Sequence, residues 1–93
     1  LNPSDAVAHF NLGNLLAGQN HPSEAMAHYS SAIALRPDYA QAHNNWGGLL
    51  LQAGMFYPAI EHFQAALRIE PNLVAARANL AQAQKEKNKI TQP

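Results

Sequence analysis

The amino-acid sequence predicts an all-α fold, an antiparallel helix-hairpin solenoid, and three observations support this prediction. Pro3, Pro37 and Pro71 are spaced by 34 residues and again by 34. The same shift superposes identical residues at other positions: Ala6 and Ala40, His9 and His43, Asn11 and Asn45, Gly13 and Gly47, Ala25 and Ala59, His28 and His62, and Ala32 and Ala66. Within each unit the apolar residues recur at helical spacing. A fixed period of this length is typical of stacked supersecondary units.

The first helix of each unit follows a proline. It is predicted over about residues 4–18 in the first unit, and its copy ends near 52–54. Both ends are rich in glycine and amide residues, which stop helices readily. A polar residue directly after each proline is the predicted N-cap: Ser4, Asp38 and Asn72.

The second helices are predicted over about 22–35 and 56–69. Pro22 and Pro58 fit the first helical turn, which requires no amide donor from them. Each helix ends just before the proline of the next unit, because the residue before a proline is biased away from helical geometry. A fifth helix is predicted from about residue 72 to 87.

These elements divide the chain into segments: 1–3 as the end of a preceding repeat, 4–37 as the first repeat, 38–71 as the second, 72–89 as a capping helix, and 90–93 as a frayed tail. The opening three residues align with the ends of the second helices, so we expect the chain to be a piece of a longer array, or of a larger protein that carries one. The fifth helix becomes increasingly polar, which suits the solvated end of a solenoid.

Each unit carries the same ordered set of large and small residues. The first supplies His9, Leu12-Gly13, Leu16, Ala25, Tyr29, Ala32 and Pro37, and the second supplies His43, Trp46-Gly47, Leu50, Ala59, Phe63, Ala66 and Pro71. This pattern resembles the tetratricopeptide repeat family. The resemblance implies two repeats plus a C-terminal capping helix. Gly13, Gly47 and Ala81 are expected where two helices approach closely, and Trp46 is expected in the core.

Composition excludes several classes of function. Lys plus Arg is 6 and Asp plus Glu is 6, so the formal net charge is zero with His neutral. This balance argues against a nucleic-acid partner and against a polybasic membrane surface. No apolar run approaches the ~20 residues of a membrane span. The chain has no cysteine, which excludes disulfides and thiolate metal sites without fixing the compartment; we expect a cytoplasmic location.

In this family the first helices line a concave surface, and the resemblance implies the same here. The residues expected on it are small or amide-bearing and nearly uncharged. One column, Asn11, Asn45 and Asn79, repeats in register although asparagine is a mediocre helix former. A carboxamide both donates and accepts, so it can pair with the N–H and C=O groups of a peptide. The predicted peptide-binding residues are Asn11, Asn45, Asn79, Asn14, Asn44, Phe10, Gln41 and Gln82.

The spacing of this column suits an extended ligand. Packed helices lie ~8–10 Å apart and an extended chain advances ~3.3 Å per residue, so one asparagine meets about every third peptide residue. The column resembles the asparagine ladder of the superhelical repeat domain of the O-linked N-acetylglucosamine transferase family, which implies backbone recognition. The alternative is an inherited column that only hydrates the groove.

A second binding mode of the family is a two-carboxylate clamp for acidic C-terminal tails. Asn14 and Asn45 match the amide positions of that clamp. Phe10, Ala75 and Asn79 stand where it requires basic residues. A bound carboxylate would therefore lack its charge-assisted hydrogen bonds, and the sequence disfavours this mode.

Five histidines raise the question of a metal site. His9 and His43 are one repeat apart, as are His28 and His62, so each pair is expected ~10 Å apart. Zinc ligands must lie ~2 Å from the ion. We therefore predict no metal site and no cofactor. His9 and His43 are expected to pack in the core, and His28 and His62 to face solvent.

No catalytic triad, phosphate-binding loop or carboxylate pair stands out in the sequence. It therefore predicts a non-catalytic protein-protein interaction module that binds an extended polypeptide in its groove. The alternative is a structural or self-assembling spacer within a larger scaffold, forming a homo-oligomer through exposed repeat ends.

Overall fold

The computed structural model describes residues 4–91, which form five α-helices arranged as antiparallel hairpins. The helices are α1 (Ala6–Gly18), α2 (Pro22–Leu35), α3 (Ala40–Gln52), α4 (Phe56–Ile69) and α5 (Val74–Thr91). Helix α1 packs against α2, α3 against α4, and α5 against α4, while α1, α3 and α5 touch in series. The predicted helix-hairpin solenoid is confirmed. The predicted segment at 1–3 and the last two residues of the tail lie outside the described residues.

The turn inside each hairpin is closed in the same way. At its tip, φ is 64° at Asn20 and 77° at Gly54, a left-handed conformation that asparagine and glycine adopt most readily. The next backbone N–H then donates to the carbonyl five residues earlier, 2.9 Å away in both turns: His21 to Leu16 and Met55 to Leu50. This pattern ends a helix sharply. The second helices consequently begin and end at the predicted residues.

The predicted N-caps lie one residue too early. The cap of α1 is Asp5, whose side chain accepts a hydrogen bond from the Ala8 amide at 3.2 Å. The cap of α3 is Tyr39, which makes no side-chain cap bond. Its side chain is only 6% exposed and packs in a cluster with Ala32 and Ala42. Burial of this aromatic ring, rather than side-chain capping, decides where α3 begins.

Close helix contacts explain the repeated glycines. A Cβ atom on Gly13 would lie 2.6 Å from Cε1 of Tyr29, and one on Gly47 would lie 2.6 Å from Cε1 of Phe63. Both aromatic rings are buried, so the expected close approach is confirmed at these two positions. It is wrong at Ala81, which is exposed. Within the described residues no further helix follows α5 as a hairpin partner, so this position lacks the neighbour that Gly13 and Gly47 have.

The capping helix differs from its predicted bounds at both ends. Helix α5 begins at Val74 and continues to Thr91, past the predicted boundary at 89. Local side-chain bonds extend its last turns. Nζ of Lys89 lies 3.2 Å from Oε1 of Glu86, and Oγ1 of Thr91 donates to the Asn88 carbonyl at 3.2 Å.

Each hairpin contains two histidines in contact, one from each helix. Nδ1 of His9 lies 3.0 Å from Nδ1 of His28, and Nδ1 of His43 lies 3.1 Å from Nδ1 of His62. We term these the histidine pairs. The prediction that His28 and His62 face solvent is wrong, because both are half-buried. The antiparallel hairpin brings together side chains 19 residues apart, which a search at the repeat period does not compare.

The second histidine pair adjoins the core. Burial, assisted by the neighbouring His43, lowers the pKa of the His62 imidazole from 6.5 to about 4. Burial and the Arg68 cation lower the pKa of His43. The indole of Trp46 stacks on His62 with ring centroids 4.2 Å apart. Trp46 also packs against the cluster that contains Phe63, so its predicted core position is confirmed.

Candidate interaction face

A chain of carboxamide side chains crosses α1, α3 and α5. Nδ2 of Asn45 donates to Oδ1 of Asn14 at 2.8 Å, and Nδ2 of Asn79 donates to Oδ1 of Asn44 at 3.0 Å. Nδ2 of Asn44 lies 3.5 Å from Oδ1 of Asn45, a longer contact that joins the two bonds. We term these four side chains the amide network. It links both repeats to the capping helix.

The hydroxyl of Tyr29 fixes one end of the amide network. It donates to Oδ1 of Asn14 at 2.6 Å. Burial raises the pKa of Tyr29, so the hydroxyl stays protonated and acts as a donor at neutral pH. Oδ1 of Asn14 thus accepts two hydrogen bonds, and the orientation of this carboxamide is set. Its two Nδ2 donors make no hydrogen bond within residues 4–91.

The two bonds between helices differ in register, and Gly48 explains the difference. Asn14 and Asn45 are 31 residues apart, whereas Asn44 and Asn79 are 35 apart. The second-repeat equivalent of Asn14 is Gly48, which offers no side chain. Asn79 bonds to Asn44 instead, one helical turn earlier on α3. The amide network therefore shifts by one turn between its two junctions.

The sequence analysis did not identify a polar role for Tyr29. A comparison of the two repeats does indicate this role. The second repeat has Phe63 in place of Tyr29 and Gly48 in place of Asn14, so the hydroxyl and its acceptor are absent together. A buried tyrosine hydroxyl usually requires a partner, and this paired difference identifies Asn14 as that partner.

The four side chains of the amide network differ in their solvent exposure. Asn14 is exposed, Asn45 and Asn79 are half-buried, and Asn44 is only 8% exposed. Asn14 therefore offers the most accessible donors of the four. Asn44, the least exposed of the four, accepts the hydrogen bond that Asn79 donates.

Three predicted contact residues flank the amide network without joining it. Asn11 and Gln41 are exposed and make no side-chain hydrogen bond in the described part of the chain. Gln82 is exposed, and its Nε2 donates to Oε1 of Glu86 at 2.9 Å. Glu86 is thus a charged neighbour of this face, and it is paired with Lys89 at 3.2 Å. The face is consequently almost neutral.

Phe10 serves packing between the repeats. Its ring centroid lies 4.9 Å from that of Tyr39 in the inter-repeat turn and 6.0 Å from that of Tyr29. It is half-buried and packs against the cluster that contains Ala32. Phe10 is thus an apolar neighbour of Tyr29, whose hydroxyl fixes one end of the amide network.

Within residues 4–91, no three His, Asp or Glu side chains are placed to hold one metal ion. In the same residues, no helix combines the length and the apolar character needed to cross a membrane.

Comparison with known families accounts for the paired hairpins. Two sequence profiles, each described as tetratricopeptide repeat, match residues 6–39 and 40–73. The chain belongs to the tetratricopeptide repeat family. Tetratricopeptide repeats stack into solenoids whose concave surfaces bind other molecules, and the family is generally a non-catalytic, protein-interaction fold. A comparison with curated protein sequences gives no significant match.

Solved structures share the fold closely. Two structures described as MamA protein and MamA each superpose with a TM-score of 0.90 at 26% identity over 95% of this chain. This chain spans 48% and 52% of those chains, about half their length. The first TPR of Spaghetti (RPAP3), bound to the HSP90 peptide SRMEEVD, superposes with a TM-score of 0.86 at 20% identity. That match covers 90% of this chain and 67% of the other, and it shows a common fold.

Proposed function

We propose that this tetratricopeptide repeat module binds an extended polypeptide through the peptide backbone, along the face formed by α1, α3 and α5, and has no catalytic activity of its own. The observation that carries this proposal is the amide network. Its carboxamides are held by hydrogen bonds before any ligand arrives. Side chains already fixed in orientation lose little conformational freedom on binding.

Unused hydrogen-bonding groups remain on this face. Asn14 retains both Nδ2 donors, and Oδ1 of Asn79 accepts no hydrogen bond in the described residues. Asn11 retains its whole carboxamide. These donors and acceptors lie on α1 and α5, at the two ends of the face, and a peptide backbone offers the alternating N–H and C=O groups that would pair with them.

The exposure of each side chain assigns it a part in the proposed contact. Asn11 and Asn14 are exposed and are the direct contacts. Asn45 and Asn79, half-buried, present one side to the ligand. The remaining predicted residues support or flank this row: Asn44, Phe10, Gln41 and Gln82.

The neutral character of the face favours backbone recognition over capture of a carboxylate. The Spaghetti repeat binds a peptide with acidic residues and a C-terminal aspartate. Here the positions that a carboxylate clamp would fill with basic residues hold Phe10, Ala75 and Asn79. An isolated carboxylate would lose its hydration without gaining a charged partner.

Nuclear magnetic resonance tests this proposal directly. A ¹⁵N-labelled chain is titrated with an uncharged peptide that is acetylated and amidated at its ends. We expect the side-chain amide resonances of Asn11, Asn14 and Asn45 to shift. The side-chain amide of Gln64 on α4 serves as the internal control and should stay in place. Shifts at Gln64 with none at the asparagines would overturn the proposal.

A second candidate function rests on the uncovered side of α1. Leu15 is 55% exposed, although its equivalents Leu49 and Ala83 are half-buried and buried. The helices that carry these equivalents, α3 and α5, each pack against the preceding second helix, whereas α1 has none among the described residues. We propose, as the alternative, a self-assembling spacer that forms a homo-oligomer through this side.

Light scattering across a wide concentration range separates the two candidates. Self-association predicts a mass that rises with concentration and becomes constant in Leu15→Lys. The matched control is Leu35→Lys, which also replaces an exposed leucine, 44% exposed, at the end of α2. A mass equal to one chain at all concentrations would eliminate the alternative and leave the amide face as the binding surface.

A further inference from the structure

The two histidine pairs lie outside the amide network and take no part in the proposed peptide contact. The ring centroids are 5.3 Å apart in the first pair and 5.4 Å apart in the second. Each centroid separation equals the Nδ1–Nδ1 distance plus, for each ring, the distance from its centroid to its Nδ1 atom. The rings therefore meet edge to edge with their Nδ1 atoms facing each other, and one proton between them makes a hydrogen bond.

The same Nδ1–Nδ1 separation, with the rings turned, suits a metal ion that lies to one side of the line between the two nitrogens. Two nitrogen ligands ~2.0–2.1 Å from one ion, at angles of roughly 90–110°, are themselves ~2.9–3.4 Å apart. The observed Nδ1–Nδ1 distances are 3.0 and 3.1 Å. For both lone pairs to converge on the ion, each ring must turn by roughly 35–45° from the observed orientation, and the donor ring then carries its proton on Nε2.

We propose that each histidine pair binds one Cu²⁺ ion through its two Nδ1 atoms, giving two sites per chain. Imidazole nitrogen suits copper, and Cu²⁺ binds a given nitrogen site more tightly than the other divalent first-row ions. Water fills the remaining coordination positions. On α5, Arg77 stands where the repeats have His9 and His43, and a guanidinium offers no lone pair, so no third site is expected.

The surroundings of the two sites differ. The second pair borders a cleft of about 310 Å³ that is also lined by Glu61, Gln64 and Arg68. Glu61 lines this cleft but is not placed to form a three-residue metal site with the two histidines, and the Arg68 cation opposes a metal charge. In the first repeat, the positions equivalent to Glu61 and Arg68 are Ala27 and Ala34. The first site therefore depends on its two imidazoles and water.

Trp46 provides a reporter for one site alone. Its indole lies 4.2 Å from the His62 ring, centroid to centroid, and it is the one tryptophan of the chain. A paramagnetic Cu²⁺ ion at the second pair is expected to quench its fluorescence. The first repeat has Leu12 at the equivalent position, so binding at the first pair should leave the fluorescence nearly unchanged.

The test is a titration of the metal-free chain with Cu²⁺ at neutral pH, followed by calorimetry, tryptophan fluorescence and electron paramagnetic resonance. We expect two ions per chain, each with two coupled nitrogen nuclei. His62→Gln should retain one ion and lose the quenching. His28→Gln should retain one ion and keep the quenching. Far-ultraviolet circular dichroism verifies that each variant is folded, and His43→Gln replaces His62→Gln if the latter unfolds.

The control variant is His21→Gln, which removes the exposed histidine at the start of α2. It should leave both the count of two ions and the quenching unchanged. Quenching that survives in folded His62→Gln or His43→Gln would overturn the proposal. So would a wild-type chain that binds no ion or loses an ion in His21→Gln.

Discussion

Asn45 of the second repeat donates its side-chain amide to Oδ1 of Asn14 in the first repeat, 2.8 Å away. The hydroxyl of Tyr29 donates to the same oxygen at 2.6 Å. One carboxamide thus ties α1 to its hairpin partner α2 and to the next repeat. The energetic consequences of this junction can be tested separately from any ligand.

Asn14→Ala is expected to destabilise the chain. The change leaves the buried Tyr29 hydroxyl without its acceptor, which costs ~1–3 kcal/mol, and the better helix propensity of alanine returns ~0.5 kcal/mol. The free energy of unfolding, measured by chemical denaturation with circular dichroism, should therefore fall by about 0.5–2.5 kcal/mol.

The matched control for this change is Asn11→Ala on the same helix. Asn11 is exposed and makes no side-chain hydrogen bond within residues 4–91. Only the propensity gain applies, so the variant should be unchanged or more stable by up to ~0.7 kcal/mol. Equal losses in the two variants would show that the amide network contributes nothing specific to stability.

Phe63→Tyr and Gly48→Asn test whether the junction can be copied into the second repeat. Phe63 is fully buried, so Phe63→Tyr alone adds a hydroxyl without an acceptor and should destabilise by ~1–3 kcal/mol. Adding Gly48→Asn supplies the acceptor that Asn14 provides in the first repeat. A double-mutant cycle should give a favourable coupling of ~0.5–1.5 kcal/mol. Additive effects of the two substitutions would contradict the inference that the tyrosine hydroxyl and the asparagine acceptor depend on each other.

Gly47→Ala and Gly48→Ala, at neighbouring positions, should have opposite effects. A Cβ on Gly47 would lie 2.6 Å from Cε1 of Phe63, whereas one on Gly48 would meet nothing within 4 Å. Overpacking should cost Gly47→Ala ~1–3 kcal/mol, and alanine should stabilise Gly48→Ala by ~0.5–1 kcal/mol. Thermal unfolding midpoints compare the two variants. A shift in the same direction for both would refute the close contact at Gly47.

The metal-free chain should lose stability as the pH is lowered. The folded-state pKa of His62 is about 4, below its ordinary value of 6.5, because burial and the adjacent His43 disfavour the charged form. The unfolded chain therefore takes up its proton first. The contribution of neutral His62 is complete above pH 6.5 and is lost as the pH falls from there towards about 4.

The size of this pH effect is limited by exposure. His62 is half-buried, so the slope should be smaller than the ~1.4 kcal/mol per pH unit of a fully protected site. Denaturation midpoints measured at several pH values in a chelating buffer give the slope. Arg68 and Glu61, the charged residues beside the pair, are left unchanged. His62→Gln should flatten the slope, and His21→Gln should not. An unchanged slope in His62→Gln would contradict this assignment.

Local signals and the repeat period predict most of the fold. The prolines and hairpin turns place α2 and α4 at their observed bounds, and the glycine column identifies the tight contacts with Tyr29 and Phe63. The cap of α3 was mispredicted because burial of Tyr39 outweighs a polar cap. The hydrogen bonds within the candidate site depend on how neighbouring repeats pack against each other. Asn79 bonds to Asn44, one helical turn away from the position equivalent to Asn14. Comparing equivalent positions of the repeats does not predict that shift.

The histidine pairs show the same limit in another form. Their members are 19 residues apart, a distance set by the hairpin turn and the crossing of two antiparallel helices. Comparing positions one period apart finds equivalent residues, not neighbours. Contacts within one hairpin require the reversal of chain direction to be taken into account.

The measurement that most directly tests backbone recognition is the affinity of one extended peptide in three forms, followed by fluorescence anisotropy. The forms are the unmodified peptide, a version with shuffled side chains, and a version with alternate backbone nitrogens methylated. We predict that shuffling leaves the affinity within about threefold, since no side chain is read. Methylation should lower it by about tenfold or more, because each lost hydrogen bond removes ~0.5–1.5 kcal/mol. Binding that survives methylation and disappears on shuffling would contradict the proposed function.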